Sequence, residues 1–293
     1  MFNPNKHQKK IGKYIGKHLG YPVNLVQAEE LSKGTREAPW KLTVDTGSRL
    51  EAYVLQVDQN SIEYEYNTLK AMVGVPIPTP KAYGLDLSGR EIGTPCYFSD
   101  FIKGETLLRP MMSGESWAEE LYLETIIELQ SVAEDDLGDF AGMVKFEPIE
   151  EFLDSAYAEL KRRSWSLADD VYKKLSRTIP ELPAMRFSNG DLWLENFIVK
   201  DQVLAGVIDF ANACFSDPIY EFLLSFFVAP ELQDRGIEER YCRTMGYDPS
   251  VLHWYRGLEY FDTLRWVIIT GEGFVHHTAE SLEDDLRTWL EWE

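Results

Sequence analysis

The chain has 293 residues, of which 44% are hydrophobic and 27% charged, and its net charge at pH 7 is −20. This composition is typical of a globular protein, and no segment approaches the roughly 18 uninterrupted apolar residues of a membrane helix. The charge is uneven, since residues 1–103 carry a net charge of +2 and residues 104–293 one of −22. We expect no nucleic-acid partner, because phosphate binding requires a basic surface. The acidic part suits a cationic ligand or a metal, although acidity also serves solubility alone.

The first twenty residues are basic but lack the apolar segment and the small-residue cleavage site of a signal peptide. They predict an amphipathic helix with Ile11, Ile15 and Leu19 on its inner face. Three widely spaced cysteines in apolar surroundings indicate reduced thiols rather than a disulfide or zinc framework. We therefore expect a cytoplasmic protein without membrane association.

Short β-type patterns follow this helix up to about residue 103. In chain order they predict strands over 24–31, 40–46 and 50–57, a helix over 61–72, and strands over 81–87 and 94–102. Connections of hairpin length imply antiparallel pairing. The order therefore predicts a small antiparallel sheet that carries one helix.

Helical periodicity dominates beyond Gly104. The predicted helices cover 115–134, 147–163, 167–178, 217–228, 231–244, 250–270 and 276–292. The single interruption is a pair of β-like runs, "NFIVK" and "LAGVIDF", joined by a tight turn at Asp201 and Gln202. We predict an α+β protein with two lobes, a small β-rich lobe over 1–103 and a larger, mainly helical lobe over 104–293.

Three polar residues lie around the β-like pair in an apolar setting. Asp191 precedes the first run, Asn196 follows five residues later, and Asp209 ends the second run. A hairpin here would bring Asn196 and Asp209 together, and an amide oxygen beside a carboxylate suits Mg²⁺. Asp191 would accept the proton of an attacking hydroxyl. This division of roles is the one that phosphoryl transfer requires, although each residue taken alone could be an ordinary turn or cap residue.

The stretch "FSNGDLWLENFIVKDQVLAGVIDFANACFSDPIYEF" resembles the core motif of the aminoglycoside phosphotransferases and of the related choline and fructosamine kinases. These enzymes share the protein-kinase-like fold. The resemblance implies a kinase that depends on ATP and Mg²⁺ and phosphorylates a small, hydroxyl-bearing acceptor. It implies Asp191 as the catalytic base, Asn196 and Asp209 as magnesium ligands, and Asp217 as the cap of the next helix.

The resemblance extends to the nucleotide-binding part of the chain. The segment "SKGTREAPWKL" resembles the phosphate-covering hairpin, in which Ser32, Gly34 and Thr35 would donate hydrogen bonds. Glu65 resembles the helix glutamate that pairs with a strand lysine. The segment with Ser99 and Phe101 resembles the linker whose backbone binds adenine.

Two positions depart from the family pattern. Gln56 stands where the family has its strand lysine, and an amide can donate to a phosphate but carries no charge. Lys33, Arg36 or Lys41 could supply the missing cation. Asn189 stands where the family usually has histidine, and it can make comparable local hydrogen bonds.

The acceptor site is less sharply predicted. Glu259, Asp262 and Arg265 recur every three residues, so they either line an acceptor pocket or form a solvated stripe. A second hypothesis places a quaternary amine in a cage of aromatic residues, namely Trp254, Tyr255 and Tyr260.

The loss of the strand lysine also leaves open a pseudokinase, a regulatory protein that binds nucleotide without catalysis. A metal-dependent hydrolase that uses the same carboxylates is a weaker alternative.

Overall fold

The computed structural model describes residues 2–31, 38–57, 62–138 and 142–291. An antiparallel five-stranded sheet occupies the first hundred residues, with the strand order β1-β2-β3-β5-β4. The strands are β1 (Asn24–Glu30), β2 (Trp40–Asp45), β3 (Leu50–Gln56), β4 (Ala82–Asp86) and β5 (Cys96–Asp100). Each strand lies within its predicted range, because the alternation of buried and accessible side chains is visible in the sequence.

The two faces of the sheet belong to different parts of the core. The outer face packs against α1 (Gln8–Leu19) and forms one buried cluster with it. The inner face points toward a larger cluster that contains α2 (Ile62–Ala71) and most of the later helices. The inner face carries the alternate side chains of the central strands, namely Lys41, Val54, Gln56, Tyr97 and Ser99.

The predicted number of helices on the sheet was wrong, because α1 packs on it as well as α2. Its expected amphipathic pattern is confirmed, with Ile11 and Ile15 fully buried. Two glycines allow the close approach of the helix to the chain that leads into β1. A Cβ atom on Gly12 would lie 2.9 Å from the carbonyl oxygen of Val23, and one on Gly16 would lie 2.8 Å from a carbonyl. The uncovered apolar face of the sheet requires such a partner.

The second part of the chain is mainly helical. Its helices are α3 (Leu108–Met112), α4 (Ser116–Gln130), α5 (Ile149–Arg162), α6 (Ala168–Arg177), α7 (Pro218–Val228), α8 (Ile237–Met245), α9 (Val251–Thr270) and α10 (Ala279–Glu291). The predicted helices are confirmed, except that 231–244 divides into a 3₁₀ turn and α8 at Gly236, which has a φ of 69°. The expected cap is also present, since Asp217 accepts hydrogen bonds from the N–H groups of Ile219 and Tyr220.

Two small three-stranded sheets interrupt the helices, where the sequence predicted only one β element. Their strands are β6 (Glu105–Thr106), β7 (Val144–Lys145), β8 (Arg186–Ser188), β9 (Phe197–Lys200), β10 (Val203–Val207) and β11 (Cys214–Ser216). The orders are β10-β9-β6 and β7-β11-β8. Strands of two or three residues are too short to show alternation, and their partners are distant in sequence. The overall α+β class is as predicted.

The remaining expectations from composition concern cysteines and membrane helices. Cys96, Cys214 and Cys242 are all buried and form no disulfide. Within the described ranges, no helix combines the length and the apolar character needed to cross a membrane.

Candidate active site

The hairpin of β9 and β10 brings two of the predicted site residues together. Asp201 and Gln202 form its turn with positive φ angles of 52° and 62°, as a two-residue hairpin turn requires. At the open end Phe197 pairs with Val207, and the N–H of the next residue, Ile208, donates to the carbonyl of Asn196 at 2.9 Å. Asn196 and Asp209 therefore lie at the same end of the hairpin.

Asn189 joins this hairpin to the segment that carries Asp191. Its side chain is fully buried, and its amide nitrogen lies 2.9 Å from the carbonyl oxygen of Asp191. The same nitrogen lies 3.3 and 3.2 Å from the carbonyl oxygens of Ile208 and Asp209. Asn196 donates to the carbonyl of Asp191 as well, at 2.9 Å. Two amide side chains thus hold the segments of Asp191 and Asp209 close together in space.

The backbone of this segment is constrained at two further positions. Gly190 has a φ of 76°, and a Cβ atom there would lie 1.9 Å from the carbonyl oxygen of Asn212. Asp209 also has a positive φ, 59°, which Asp tolerates better than most residues. Unusual backbone angles held by buried hydrogen bonds are a feature of functional sites.

A series of hydrogen bonds also holds the backbone around Asp191. The Ser188 hydroxyl accepts from the N–H of Gly190 at 2.9 Å and donates to the carboxylate of Glu221 at 3.0 Å. Burial raises the pKa of Glu221, and the nearby charge of Asp191 adds to that effect. On the other side, the hydroxyls of Tyr122 and Ser225 both donate to the carbonyl of Leu192, at 2.9 and 2.8 Å. These contacts fix the backbone on both sides of Asp191.

The side chains at the hairpin end have the chemistry that a magnesium ion accepts. Asn196 is nearly buried, and because its nitrogen donates to Asp191, its carbonyl oxygen is the group that can bind a cation. The half-buried carboxylate of Asp209 accepts from the N–H of Ala211 at 3.4 Å. An amide oxygen and a carboxylate suit Mg²⁺, which also takes water and phosphate oxygens. The residues therefore fit the metal that the sequence predicted.

The predicted nucleotide-binding residues divide between described and undescribed parts of the chain. Ser32, Gly34 and Thr35 lie outside the described residues. Gln56 is half-buried and pairs with Tyr97 across the sheet, while Ser99 is buried opposite Val54. Phe101 follows the end of β5. Gln56 and Ser99 therefore share the inner face of the sheet, and Phe101 lies next to it.

Glu65 is buried on α2. The residue before it, Tyr64, links this helix to the region beyond Asp209. Its hydroxyl donates to the carbonyl of Ala213 and accepts from the N–H of Val144 at 3.1 Å. The helix that carries Glu65 is therefore anchored to the segment that follows the hairpin.

The stripe on α9 is a polar network that is largely withdrawn from water. Glu259 is only 5% exposed, and burial together with the neighbouring Asp262 and Glu221 raises the pKa of its carboxyl well above the usual range. Asp262 accepts from the hydroxyl of Tyr220 at 2.7 Å and forms an ion pair with Arg265 at 2.7 Å. The interpretation as a solvated stripe is therefore wrong for Glu259.

The predicted aromatic cage is wrong. Trp254 and Tyr255 are buried in the core. The hydroxyl of Tyr255 donates to Asp217 at 2.6 Å, and the indole of Trp254 donates to the carbonyl of Leu175 at 3.0 Å. Their polar groups are thus used within the fold, and these two rings do not face a ligand. Helical spacing alone could not separate an aromatic core stripe from a pocket.

A sequence profile described as the phosphotransferase enzyme family matches residues 28–258, which is most of the chain. The chain belongs to this family. The match spans β2, β3 and the whole of the 189–209 segment, so it includes both the sheet and the hairpin. No curated protein matches the chain in sequence.

Solved structures of related proteins share the fold over nearly the whole length. A putative aminoglycoside phosphotransferase from Ralstonia eutropha JMP134 is 18% identical, with a TM-score of 0.69, and the match covers 97% of this chain and 95% of the other. A thermostable mutant of aminoglycoside phosphotransferase APH(4)-Ia, in a ternary complex with AMP-PNP and hygromycin B, is 16% identical, with a TM-score of 0.69 and coverages of 96% and 97%. The GDP complex of an aminoglycoside 2′-phosphotransferase mutant is 19% identical, with a TM-score of 0.64 and coverages of 91%. The protein-kinase-like fold expected from the sequence is therefore confirmed.

Several residues that shape the site in this family member were not predicted from sequence. Their hydrogen-bond partners are set by the fold and not by a local pattern. The contacts are those of the Asn189 amide with backbone carbonyls, of Ser188 with Glu221, and of Tyr122 with the carbonyl of Leu192. Only the position of Asn189 gave a signal, because it departs from the family motif. Glu195, for which the sequence predicted no role, is exposed and accepts a hydrogen bond from the indole of Trp193 at 3.2 Å.

Proposed function

We propose that the chain is an ATP- and Mg²⁺-dependent kinase that transfers the γ-phosphate to a hydroxyl of a small, cationic acceptor. The observation that carries the proposal is the pair of amides, Asn189 and Asn196, that hold Asp191 and Asp209 at one end of the hairpin. This arrangement provides one carboxylate for the nucleophile and an amide with a carboxylate for a metal, as phosphoryl transfer requires.

Asp191 is the proposed catalytic base. As the acceptor oxygen forms its bond to the γ-phosphorus, its proton passes to the Asp191 carboxylate. The bond between the γ-phosphorus and the oxygen that bridges to the β-phosphate breaks, and ADP leaves with that oxygen. The buried hydrogen bonds around the backbone of Asp191 keep its carboxylate in one position, and positioning is most of what this reaction needs from a protein.

Asn196 and Asp209 are the proposed magnesium ligands. Mg²⁺, when bound, neutralises charge on the phosphate oxygens and orients them. The hydrogen bond from Asn196 to Asp191 keeps the amide oxygen of Asn196 at the hairpin end. The positive φ angle of Asp209 keeps its carboxylate at the same end.

The nucleotide is proposed to lie between the hairpin and the inner face of the sheet. The backbone near Ser99 and Phe101 would bind adenine, and Gln56 would donate to a phosphate oxygen. Ser32, Gly34 and Thr35 would cover the phosphates, and Glu65 would orient the groups beside Gln56.

In this proposal residues 1–103 form the nucleotide-binding lobe, and residues 104–293 form the catalytic and acceptor-binding lobe. The complexes of related structures with AMP-PNP and with GDP support nucleotide use.

The proposed acceptor is a small molecule with a hydroxyl and a positive charge. Its support is the net charge of −22 over residues 104–293 and the buried carboxyl of Glu259, which lies near Asp262 and Glu221. The pKa of Glu259 stays raised although the charge of Arg256 opposes the shift, so a further cation from a ligand would stabilise the charged form.

Replacement of the catalytic base tests the proposal. Asp191→Asn should leave ATP binding nearly intact and lower turnover by ~10² or more. The matched control is Glu195→Gln, which changes an exposed acid of the same segment and should leave turnover unchanged. ADP release would be measured with a panel of amino sugars and other hydroxyl compounds. Full activity of Asp191→Asn would refute the assignment.

Gln56 favours a second candidate, a nucleotide-binding regulatory protein without catalysis. The same panel separates the two functions. Mg²⁺-ATP that raises the melting temperature, with no transfer to any acceptor, would support the regulatory protein. ADP release that depends on an acceptor would support the kinase.

A further inference from the structure

The inner face of the sheet has no charge at position 56, where the sequence motif leads one to expect it. We infer that Lys41 on β2 supplies the positive charge that binds the phosphates of the nucleotide. This inference rests on the proposed kinase function and assigns one of its positioning residues. The catalytic and metal-binding residues of the hairpin are unaffected by it.

The register of the sheet places Lys41 beside Gln56. Lys41 pairs with Val54 across β2 and β3, and Gln56 lies two residues beyond Val54 on the same strand. Residues two apart on a strand point to the same face, so Lys41 and Gln56 share the inner face. Such diagonal neighbours have Cα atoms ~7–8 Å apart, which is within reach of a long side chain.

The ammonium group of Lys41 lies beside the segment that follows β5. It lies 4.8 Å from the centre of the Phe101 ring. The next residue, Ile102, packs against β10, because a Cβ atom built on Gly206 would lie 3.3 Å from its side chain. Gly206 is three residues before Asp209, so the Phe101–Ile102 segment beside Lys41 borders the hairpin that carries the proposed metal ligands.

Lys41 is also free to move toward an anion. Its side chain is 32% exposed, and its ammonium lies 3.9 Å from a carboxylate oxygen of Glu29. An ion pair this long and this exposed contributes little, and a partly exposed contact with a ring is also weak. A phosphate group would compete effectively with both partners.

No other residue of the sheet can take this role. Lys41 is the only Lys or Arg within the five strands, all of which are described. The two other cations considered from sequence, Lys33 and Arg36, lie outside the described residues, so the experiment must include them.

Binding of ATP, ADP and adenosine to variants separates a phosphate contact from a packing role. Lys41→Met should weaken ATP and ADP binding by about tenfold or more, since the phosphates would lose a nearby positive charge. Adenosine binding should change by less than about twofold. Lys41→Arg should retain ATP binding, and Lys41→Met combined with Gln56→Lys should recover most of it.

The matched control is Lys81→Met, because Lys81 is an exposed lysine beside the same sheet, with its ammonium 5.4 Å from the Tyr83 ring. This variant should bind ATP normally. Equal losses of ATP and adenosine in Lys41→Met would show a packing role and overturn the inference. Unchanged ATP binding in Lys41→Met, or a loss confined to Lys33→Met or Arg36→Met, would also overturn it. Failure of the unaltered chain to bind ATP would instead refute the proposed function and the inference together.

Discussion

The 189–209 segment and the inner face of the sheet border the same proposed site, but they are stabilised differently. In the segment, buried amides of Asn189 and Asn196 donate to backbone carbonyls and fix the positions of two acids. On the inner face, the side chain of Lys41 is partly exposed and makes weak contacts. Each region contains one departure from the family motif, Asn189 and Gln56.

The two departures have different consequences because different interactions are lost. At position 189, where the sequence motif usually has histidine, the amide nitrogen of Asn189 lies within hydrogen-bonding distance of three backbone carbonyls. Gln56 replaces a charge, and no amide supplies a charge. A hydrogen bond can therefore be replaced locally, whereas a charge has to come from elsewhere in the structure.

The largest effect is expected at Gly190. Gly190→Ala places a methyl group 1.9 Å from a carbonyl oxygen, so the segment must shift. We expect turnover to fall by more than about 100-fold and the free energy of unfolding to fall by more than about 2 kcal/mol. The control Gly246→Ala has a φ of 78° and no atom near the new Cβ, so it should lose only about 1 kcal/mol. Equal losses in a urea titration would show that steric contact is not the cause.

A smaller effect on turnover is expected at Asn189. Asn189→Leu removes the donor from three carbonyls and should lower the free energy of unfolding by about 2–3 kcal/mol. Turnover should fall by about tenfold or more, because Asp191 and Asp209 are no longer joined. Asn189→His should retain most of the turnover, and a result as poor as that of Leu would contradict the idea that hydrogen bonding at this position is replaceable.

In the helical region, the stability of the fold should depend on pH through Glu238 on α8. Burial raises the pKa of Glu238 to about 7, although Arg256 lies 2.7 Å away and opposes the shift. Between the unfolded value of 4.5 and about 7, the folded chain keeps a proton that the unfolded chain has lost. The stability that Glu238 contributes therefore falls as pH rises through this window and is constant above it.

The measurement is the free energy of unfolding of the unaltered chain and of Glu238→Gln at pH 5 and pH 8. The unaltered chain should lose up to about 2–3 kcal/mol relative to the variant between the two pH values. A difference that does not depend on pH would show that Glu238 is ionised throughout.

The smallest effect is expected from Gln56→Lys in the otherwise unchanged chain. If Lys41 already provides the phosphate charge, a second lysine nearby should improve ATP affinity by less than about threefold. The same change in the Lys41→Met background should have a much larger effect. Isothermal titration of both pairs gives the coupling directly, and equal gains in the two backgrounds would mean that the positions act independently.

The amino-acid sequence by itself determined most of the longer strands and helices and the positions of the acids. Some of these elements follow from local patterns of the amino-acid sequence. The patterns are the alternation in β2 and β3, the helical periodicity of α9 and the Asp-Pro start of α7. The short spacing between Asn196 and Asp209, with a turn between them, was enough to predict that they would lie together. These predictions depend on neighbours within about twenty residues.

Only the tertiary structure decided the partners of the polar groups. The contacts of Asn189 with Asp209, of Ser188 with Glu221, and of Lys41 with Phe101 join residues that are 20 to 60 positions apart. The same holds for Trp254 and Tyr255, whose place in the core removed them from the acceptor site. Hydrogen bonds and charges act through distance in space, and chain folding sets that distance, so no local pattern could have shown which ring lies beside the Lys41 ammonium.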